Sequence, residues 1–561
     1  MQTLRTLFRS PIREFADSLA NAEPRPRQLA SARILVFALL GLCFVPRAVL
    51  ACMLEAVCSD GHFYIAVADA LDRGDINAAF SYLNMNVYPA VLLLLHRTGL
   101  DWIVAAKLCG VLLGSLTVMP LFGWVRRMFD DRIAVVACVL YAIHPEIIEL
   151  SPEPIRETMF WFFVTLFLYA AIRAVSEHKL WLFALAGVAL TFAAYTRIEG
   201  WLLLLPVVVW SACRFQSRSE SRARLIAGVL VCLAMMPALL LLTNVTLLRH
   251  HTRWEWGRLA GVAGANNSQV VEADAIESPK PSSSLRASGE PVPAASVVVP
   301  IVERTVEDAP KPKWQMFIAA LVSSYEPLAL LLTVTGLFAA RGALLHRDKL
   351  VLWIIAPFVL LVVWIRLTIV GDLNGRYFLL TFFLLAPFTA IGLVGGLRRL
   401  EMVLSRLKSF GPRRTWTASA MALIVVVSLG DALLSRHTSR HREASLGRWL
   451  QRELGPLESV VADKDSSTVG YFAKGTNPRT LLNYEPVEDI VFQLRPDMLI
   501  LHAPMFASWP REYQEVVARS CAASGLHQIH VDDSHAGHEE FLIFASRRSS
   551  SLAAKLGPAH R

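Results

Sequence analysis

Charge is scarce in this 561-residue chain: Asp, Glu, Lys and Arg make up 18% of it, against 54% hydrophobic residues. A soluble protein of this size carries roughly a quarter charged residues, so a wholly water-soluble chain is excluded, and the mean hydropathy of +0.45 agrees. Cysteine is sparse and scattered. None of the eight forms a CxxC pair or a zinc-ligand spacing, and no HExxH is present, which removes the common zinc motifs. Cys43, Cys109, Cys138, Cys213 and Cys232 sit inside apolar runs as small hydrophobes. Cys52 and Cys58 are near enough in sequence to bridge but are read as free thiols. There is no internal repeat. The first 30 residues are polar and basic without the apolar core of a cleavable signal, so the run after them is read as a retained span. The net charge of +9 implies no nucleic-acid partner, because basic residues gather beside membrane segments on the cytoplasmic side.

What is present is a series of apolar runs long enough for lipid. Eleven spans are expected, at 34–54, 102–125, 132–146, 157–174, 180–195, 200–213, 225–247, 325–340, 350–370, 377–397 and 417–434. Two of them, 180–195 and 200–213, are short and share the break "YTRIEG". With the N-terminus inside, the inner loops hold Arg126, Arg127 and Arg132; Arg173 and Lys179; Arg214, Arg218, Arg222 and Arg224; Arg341, Arg347 and Lys349; and Arg398 to Arg414. The short outer loops hold one arginine each, Arg156, Arg197 and Arg376. That asymmetry predicts a cytoplasmic N-terminus in a multi-pass protein of the cytoplasmic membrane.

The fold class predicted is thus an α-helical polytopic membrane protein with a small C-terminal α/β domain. Residues 1–33 form a cytoplasmic segment and 34–434 the transmembrane domain. Within it, 55–101 is a first outer loop with two interfacial helices, 62–73 and 86–97. The Pro/Ser/Ala-rich stretch 248–313 is a long outer loop, disordered in part. Residues 435–548 alternate strand-like runs ("SVVAD", "RTLLNY", "DMLILHA", "HQIHV", "EFLIFAS") with helical ones, giving an exoplasmic α/β domain followed by a disordered tail, 549–561.

Five stretches carry candidate chemistry, each with a plainer reading beside it. In "SDGHFYIAVADAL", Asp60 stands at the outer mouth of the first span, as a reactive carboxylate or as a helix cap shared with Ser59. His62 reads as a helix surface residue. "HPEIIELSPEPIRETMFWFF" gathers Glu146, Glu149, Glu153 and Glu157 in one outer loop, more acids than one helix start requires. In "AYTRIEGWLLLLP", Arg197 and Glu199 form either a site or a self-satisfied ion pair in a turn. In "GDLNGRYFLL", Arg376 either snorkels or grips a phosphate. The histidines of "HQIHVDDSHAGHEE" read as a solvated loop before a metal site.

Taken in order, these pieces resemble the GT-C superfamily of integral membrane glycosyltransferases, which includes aminoarabinose transferases, protein O-mannosyltransferases and lipopolysaccharide-core sugar transferases. The resemblance covers residues 31 to about 400 and adds the Tyr-Pro of "NVYPAVLLLLHR" to the stretches above. It implies a sugar donor on polyprenyl phosphate, an inverting transfer, and an acceptor that is a lipid, a protein or a polysaccharide. It further implies Asp60 and Glu157 as catalytic, with Glu149 and Glu153 as alternatives to Glu157, and Arg376, Arg197 and Arg47 as contacts for the donor phosphate. His62, Tyr64, Tyr88, Glu153, Glu199 and Tyr377 would support them. The family's usual acidic pair in the first loop is missing here, since Gly61 follows Asp60, so a divalent metal is left open and no cofactor is assigned. The competing function is a transporter or flippase of lipid-linked sugars, which would place ionisable groups at mid-membrane and show duplicated halves. A third is an inactive membrane scaffold.

Overall fold

A computed structural model describes residues 29–54, 58–75, 79, 87–197, 199–203, 208–209, 222–243, 312–344, 350–370, 374–406, 413–434, 438–463, 465–475, 478–481, 487–529 and 541–546. The expectations for 1–28, for most of 200–213 and 248–313, for the histidine-rich stretch beyond Ile529 and for the tail lie outside these residues.

In chain order the helices are α1 (Leu29–Met53), α2 (Ser59–Asp72), α3 (Val87–His96), α4 (Trp102–Leu116), α5 (Val118–Met128), α6 (Asp131–Ile143) and α7 (Pro145–Leu150). Next come α8 (Glu157–Glu177), α9 (Leu180–Thr196), α10 (Glu199–Leu202), α11 (Arg222–Thr243), α12 (Lys313–Tyr325), α13 (Pro327–Leu344) and α14 (Leu350–Val370). A 3-10 turn, Gly375–Tyr377, leads into α15 (Leu379–Arg406), α16 (Arg413–Leu433) and α17 (Thr438–Leu454). The remainder runs β1 (Val460–Ala462), α18 (Ser467–Lys474), β2 (Arg479–Thr480), α19 (Val487–Leu494), β3 (Met498–His502), α20 (Ala503–Ser508), α21 (Arg511–Ala523), β4 (Leu526–Ile529) and β5 (Phe541–Ser546). The chain forms two compact units, one of Met1–Met53, Met85–Thr252 and Pro310–Ser435, the other of Leu54–Asn84, Arg253–Ala309 and Arg436–Arg561.

The described part of the first unit is helical and apolar, the core of a polytopic membrane protein. Ile34–Met53, Trp102–Met128, Glu157–Glu177 and Leu379–Met402 are each long and apolar enough to cross a bilayer. Shorter apolar helices occupy other expected spans, at Leu180–Thr196, Ala223–Leu239, Ile354–Thr368 and Ser419–Leu433. Helix α12 was not anticipated. The apolar stretch expected to begin at 325 starts at Lys313 and bends by 94° between α12 and α13. Glu326 at the bend has φ +61°, and Pro327 behind it disfavours helical backbone at the preceding residue.

Helix pairs in this unit meet through small residues and hydroxyls, as expected where lipid offers no hydrophobic drive for association. A Cβ on Gly336 of α13 would lie 1.8 Å from Phe388 O, and one on Gly392 of α15 would lie 2.0 Å from Leu332 O, so the two backbones touch. Beside that contact Thr333 and Thr389 share a hydroxyl hydrogen bond of 2.7 Å, and Tyr325 OH donates to Thr381 Oγ1 at 2.7 Å.

The second unit contains the α/β fold. Its sheet has the order β2-β1-β3-β5-β4, with β2, β1 and β3 parallel and β5 antiparallel to both of its neighbours. All five strand-like runs contribute a strand. Leu499 and Leu501 face α19, α20 and α21, while Met498 and Ile500 face α17 and α18. Both faces of β3 are covered, which is why "MLIL" is apolar throughout rather than alternating.

Two expectations for the first loop need correction. His62, Tyr64, Ile65, Val67 and Ala68 of α2 are buried by protein, where a helix lying on the bilayer with His62 at its surface was expected. Nor does Ser59 or Asp60 stand at the cap position. The N-cap is Cys58, without a side-chain cap bond, and Asp60 falls in the first turn. Neither Cys52 nor Cys58 is in a disulfide.

Candidate functional site

The site in the first unit is built where three chain breaks meet. Helix α8 opens on Glu157 directly after Arg156. Helix α9 ends at Thr196 because Arg197 turns extended, with φ −146° and ψ 140°. The chain then folds back so closely that a Cβ on Gly200 would lie 2.5 Å from Ala194 N. The third break is the 3-10 turn carrying Arg376 and Tyr377, started by Asn374, whose Oδ1 accepts from Arg376 N at 3.1 Å. Gly375 lets this turn approach α12, since a Cβ there would meet Ser324 Oγ at 2.4 Å.

These breaks bring Glu157, Arg197, Glu199, Arg376 and Tyr377 together. Arg197 Nη1 donates to Glu157 Oε1 at 2.6 Å, and its Nε and Nη2 donate to the two oxygens of Glu199 at 3.2 and 2.9 Å. Arg376 Nε lies 3.4 Å from the same Glu157 oxygen. Burial opposes the charge on Glu199, but the Arg197 guanidinium outweighs it and holds the carboxyl down at about 2. Burial likewise works against Arg197, and Glu199 with Glu157 outweighs it, holding the guanidinium more firmly protonated than usual.

A further residue belongs here that the sequence reading did not single out. Arg366 on α14 lies 4.4 Å from the centre of the Tyr377 ring, which Arg197 also approaches to 4.8 Å and Arg376 to 5.7 Å. Its Nε has no hydrogen-bond partner among the described residues. The signal was available: a lone arginine inside an apolar run is costly in hydrocarbon unless it serves a site.

Together Arg197, Glu199, Arg366, Arg376 and Tyr377 line a cleft whose remaining wall includes Phe160, Trp161, Phe358, Val359 and Leu380. Three guanidinium groups face two carboxylates, so the polar part carries excess positive charge, and Arg156 adds to it from beside Glu199. The lining thus combines groups that suit an anion with a wall that suits hydrocarbon.

Arg47 is not part of this cleft. It is fully buried in α1, where its Nε donates to Ser151 Oγ at 3.0 Å and its Nη1 to Cys43 O and Ala142 O at 2.8 and 3.3 Å. Its donors therefore hold the acidic loop after α6 and are not offered to a phosphate. Glu153 and Tyr88 are buried in the same unit without lining the cleft. Asp60, His62 and Tyr64 belong to the second unit. Among the described residues no three His, Cys, Asp or Glu side chains gather into a metal site.

Comparison with known proteins agrees with this architecture. The family model of dolichyl-phosphate-mannose-protein mannosyltransferases matches residues 87–248. No curated protein matches the chain. ArnT from Cupriavidus metallidurans bound to undecaprenyl phosphate is similar in structure, with a TM-score of 0.55 at 12% identity over 95% of this chain and 100% of that one. The apo oligosaccharyltransferase of Archaeoglobus fulgidus is similar with a TM-score of 0.51 at 10% identity, over 86% of this chain and 72% of that one. The fold is the one seen in these two structures.

Proposed function

We propose that this protein transfers a sugar from a polyprenyl-phosphate donor to an acceptor on the exoplasmic face of the cytoplasmic membrane. The observation that carries the reading is the cleft, whose lining combines the guanidinium groups of Arg197, Arg366 and Arg376 with an apolar wall. A lipid phosphate has the two matching parts. Guanidinium groups bind phosphate oxygens in pairs, and the valine and phenylalanine wall accommodates the first isoprene units. The ArnT structure with undecaprenyl phosphate shows that the shared fold accommodates such a lipid in that protein.

In the proposed reaction the acceptor attacks the anomeric carbon, forming the new glycosidic bond as the bond to the phosphate oxygen breaks. Asp60 takes the acceptor's proton, and the arginines stabilise charge on the departing phosphate. A single displacement inverts the anomeric centre. Glu157 orients Arg197 and Arg376. The N-terminus is cytoplasmic and the C-terminal domain exoplasmic, as the arginine distribution of the short loops supports.

The test is reconstitution in vesicles with labelled sugar on polyprenyl monophosphate and a cell-envelope acceptor extract. The expected result is label in the acceptor and free polyprenyl phosphate. Passage of intact donor across the bilayer without cleavage would establish a flippase instead.

A further inference from the structure

The second unit joins the first outer loop to the C-terminal domain, and the contact between them is specific. Helix α2 lies against α18 and β2. His62 is 1% exposed, and its ring centre lies 5.6 Å from that of Tyr471 on α18, the planes inclined by 39°. Asp60 is two residues before His62, in the same helical turn.

That turn opens at Cys58, which makes no side-chain cap bond, while Gly61 N and His62 N donate to Cys58 O at 2.8 and 3.3 Å. The other side of the contact is firmly anchored. Val469 and Ala473 of α18 are packed with Leu446 and Leu450 of α17 against the sheet. A Cβ on Gly447 of α17 would lie 2.5 Å from Val469 O, so these two helices touch at the backbone. At the end of β1, Asp463 accepts from Ser466 N at 2.7 Å and from His502 N, tying the start of α18 to the end of β3.

We propose that the C-terminal domain fixes the position of Asp60, with Tyr471 as a positioning residue acting through His62. The proposal rests on the reading of Asp60 as the proton acceptor, but its structural half is testable without turnover. A ring contact of this kind shifts an equilibrium by about tenfold at most, which sets the size of the effect to look for.

Cys58, partly exposed at the start of α2, is a built-in reporter. With Cys52→Ser and Cys213→Ser introduced, the other cysteines, Cys43, Cys109, Cys138, Cys232 and Cys521, are buried. The experiment measures maleimide labelling of Cys58 in the full-length, detergent-solubilised protein, alongside kcat and donor KM. Tyr471→Ala should speed labelling roughly tenfold and lower kcat by a similar factor, with donor KM unchanged. Tyr471→Phe should behave as wild type in all three. Should Tyr471→Ala fail to fold, Tyr471→Leu keeps bulk without the ring and is expected to act like Ala. Labelling of Cys58 at the wild-type rate in the Ala or Leu variant overturns the proposal, as does Phe behaving like Ala. Full turnover by Asp60→Asn would instead remove Asp60 from the chemistry and leave the labelling result standing, so the two failures are distinct.

Discussion

Arg197 Nη1 and Glu157 Oε1 lie 2.6 Å apart, joined across 40 residues of chain, and neither side chain is more than 5% exposed. A pair this deeply buried is costly to break, because the partner left behind is a desolvated, uncompensated charge. It also fixes the start of α8 against the end of α9. In a double-mutant cycle on thermal stability, Glu157→Gln and Arg197→Met should show a coupling of about 2 kcal/mol. A coupling near zero would mean that Glu199 alone satisfies Arg197.

Arg366 should matter to the donor and not to the fold. Its Nε has no hydrogen-bond partner among the described residues, so its removal strands no bonded group there. A charge-assisted hydrogen bond to phosphate is worth roughly 1.5–3 kcal/mol. Arg366→Gln should therefore raise donor KM by at least about tenfold while the melting temperature stays within a few degrees. An unchanged KM would take Arg366 out of the phosphate site.

For Arg376 the comparison with lysine decides. A guanidinium binds two phosphate oxygens in parallel and lysine cannot. Arg376→Lys should weaken donor use and Arg376→Ala should do worse, measured per correctly inserted molecule across a donor titration. Equal kinetics for Lys and wild type would reduce Arg376 to an anchor.

Asp60→Asn separates chemistry from helix formation. Because the cap position belongs to Cys58, the amide should leave α2 in place while kcat falls by about a hundredfold or more. Helicity and melting are read by circular dichroism on the same sample, and substantial turnover by the folded variant would count against a proton-transfer role.

The Arg197–Glu199 pair gives a signed expectation for pH. A carboxyl held down at about 2 stabilises the fold above its unfolded pKa, and that contribution is lost only as pH falls toward 2. Between pH 7 and 5 Glu199 stays ionised, so donor affinity should not change on its account. Any loss of kcat in that window should persist in Glu199→Gln; its disappearance there would show that Glu199 titrates.

Helix packing supplies the last test. A methyl group on Gly336 has no room beside Phe388 O, so Gly336→Ala should destabilise by about 1–3 kcal/mol through overpacking. Gly395, whose Cβ would meet nothing within 4 Å, should accept alanine without loss. Equal melting temperatures for the two variants would contradict the backbone contact between α13 and α15.

The sequence alone determined the broad architecture. Apolar runs of spanning length and five short strand-like runs are local patterns, set by the cost of polar groups in lipid and by the burial of a sheet covered on both faces. It also placed Glu157, Arg197, Glu199, Arg376 and Tyr377 at helix ends, where breaks such as "TRIEG" and "NGRY" are visible residue by residue. Tertiary structure alone decided which of these ends meet. Nothing local says that Glu157 pairs with Arg197 across 40 residues, that Arg366 stacks on Tyr377, or that Arg47 is used up on Ser151 and backbone carbonyls. The same holds for α2, read as lying on lipid but buried by protein, its His62 against Tyr471 of a domain far along the chain. An apolar surface specifies that it leaves water, not what covers it, because the hydrophobic effect has no direction; the choice of partner is made by shape and by the pairing of buried charges.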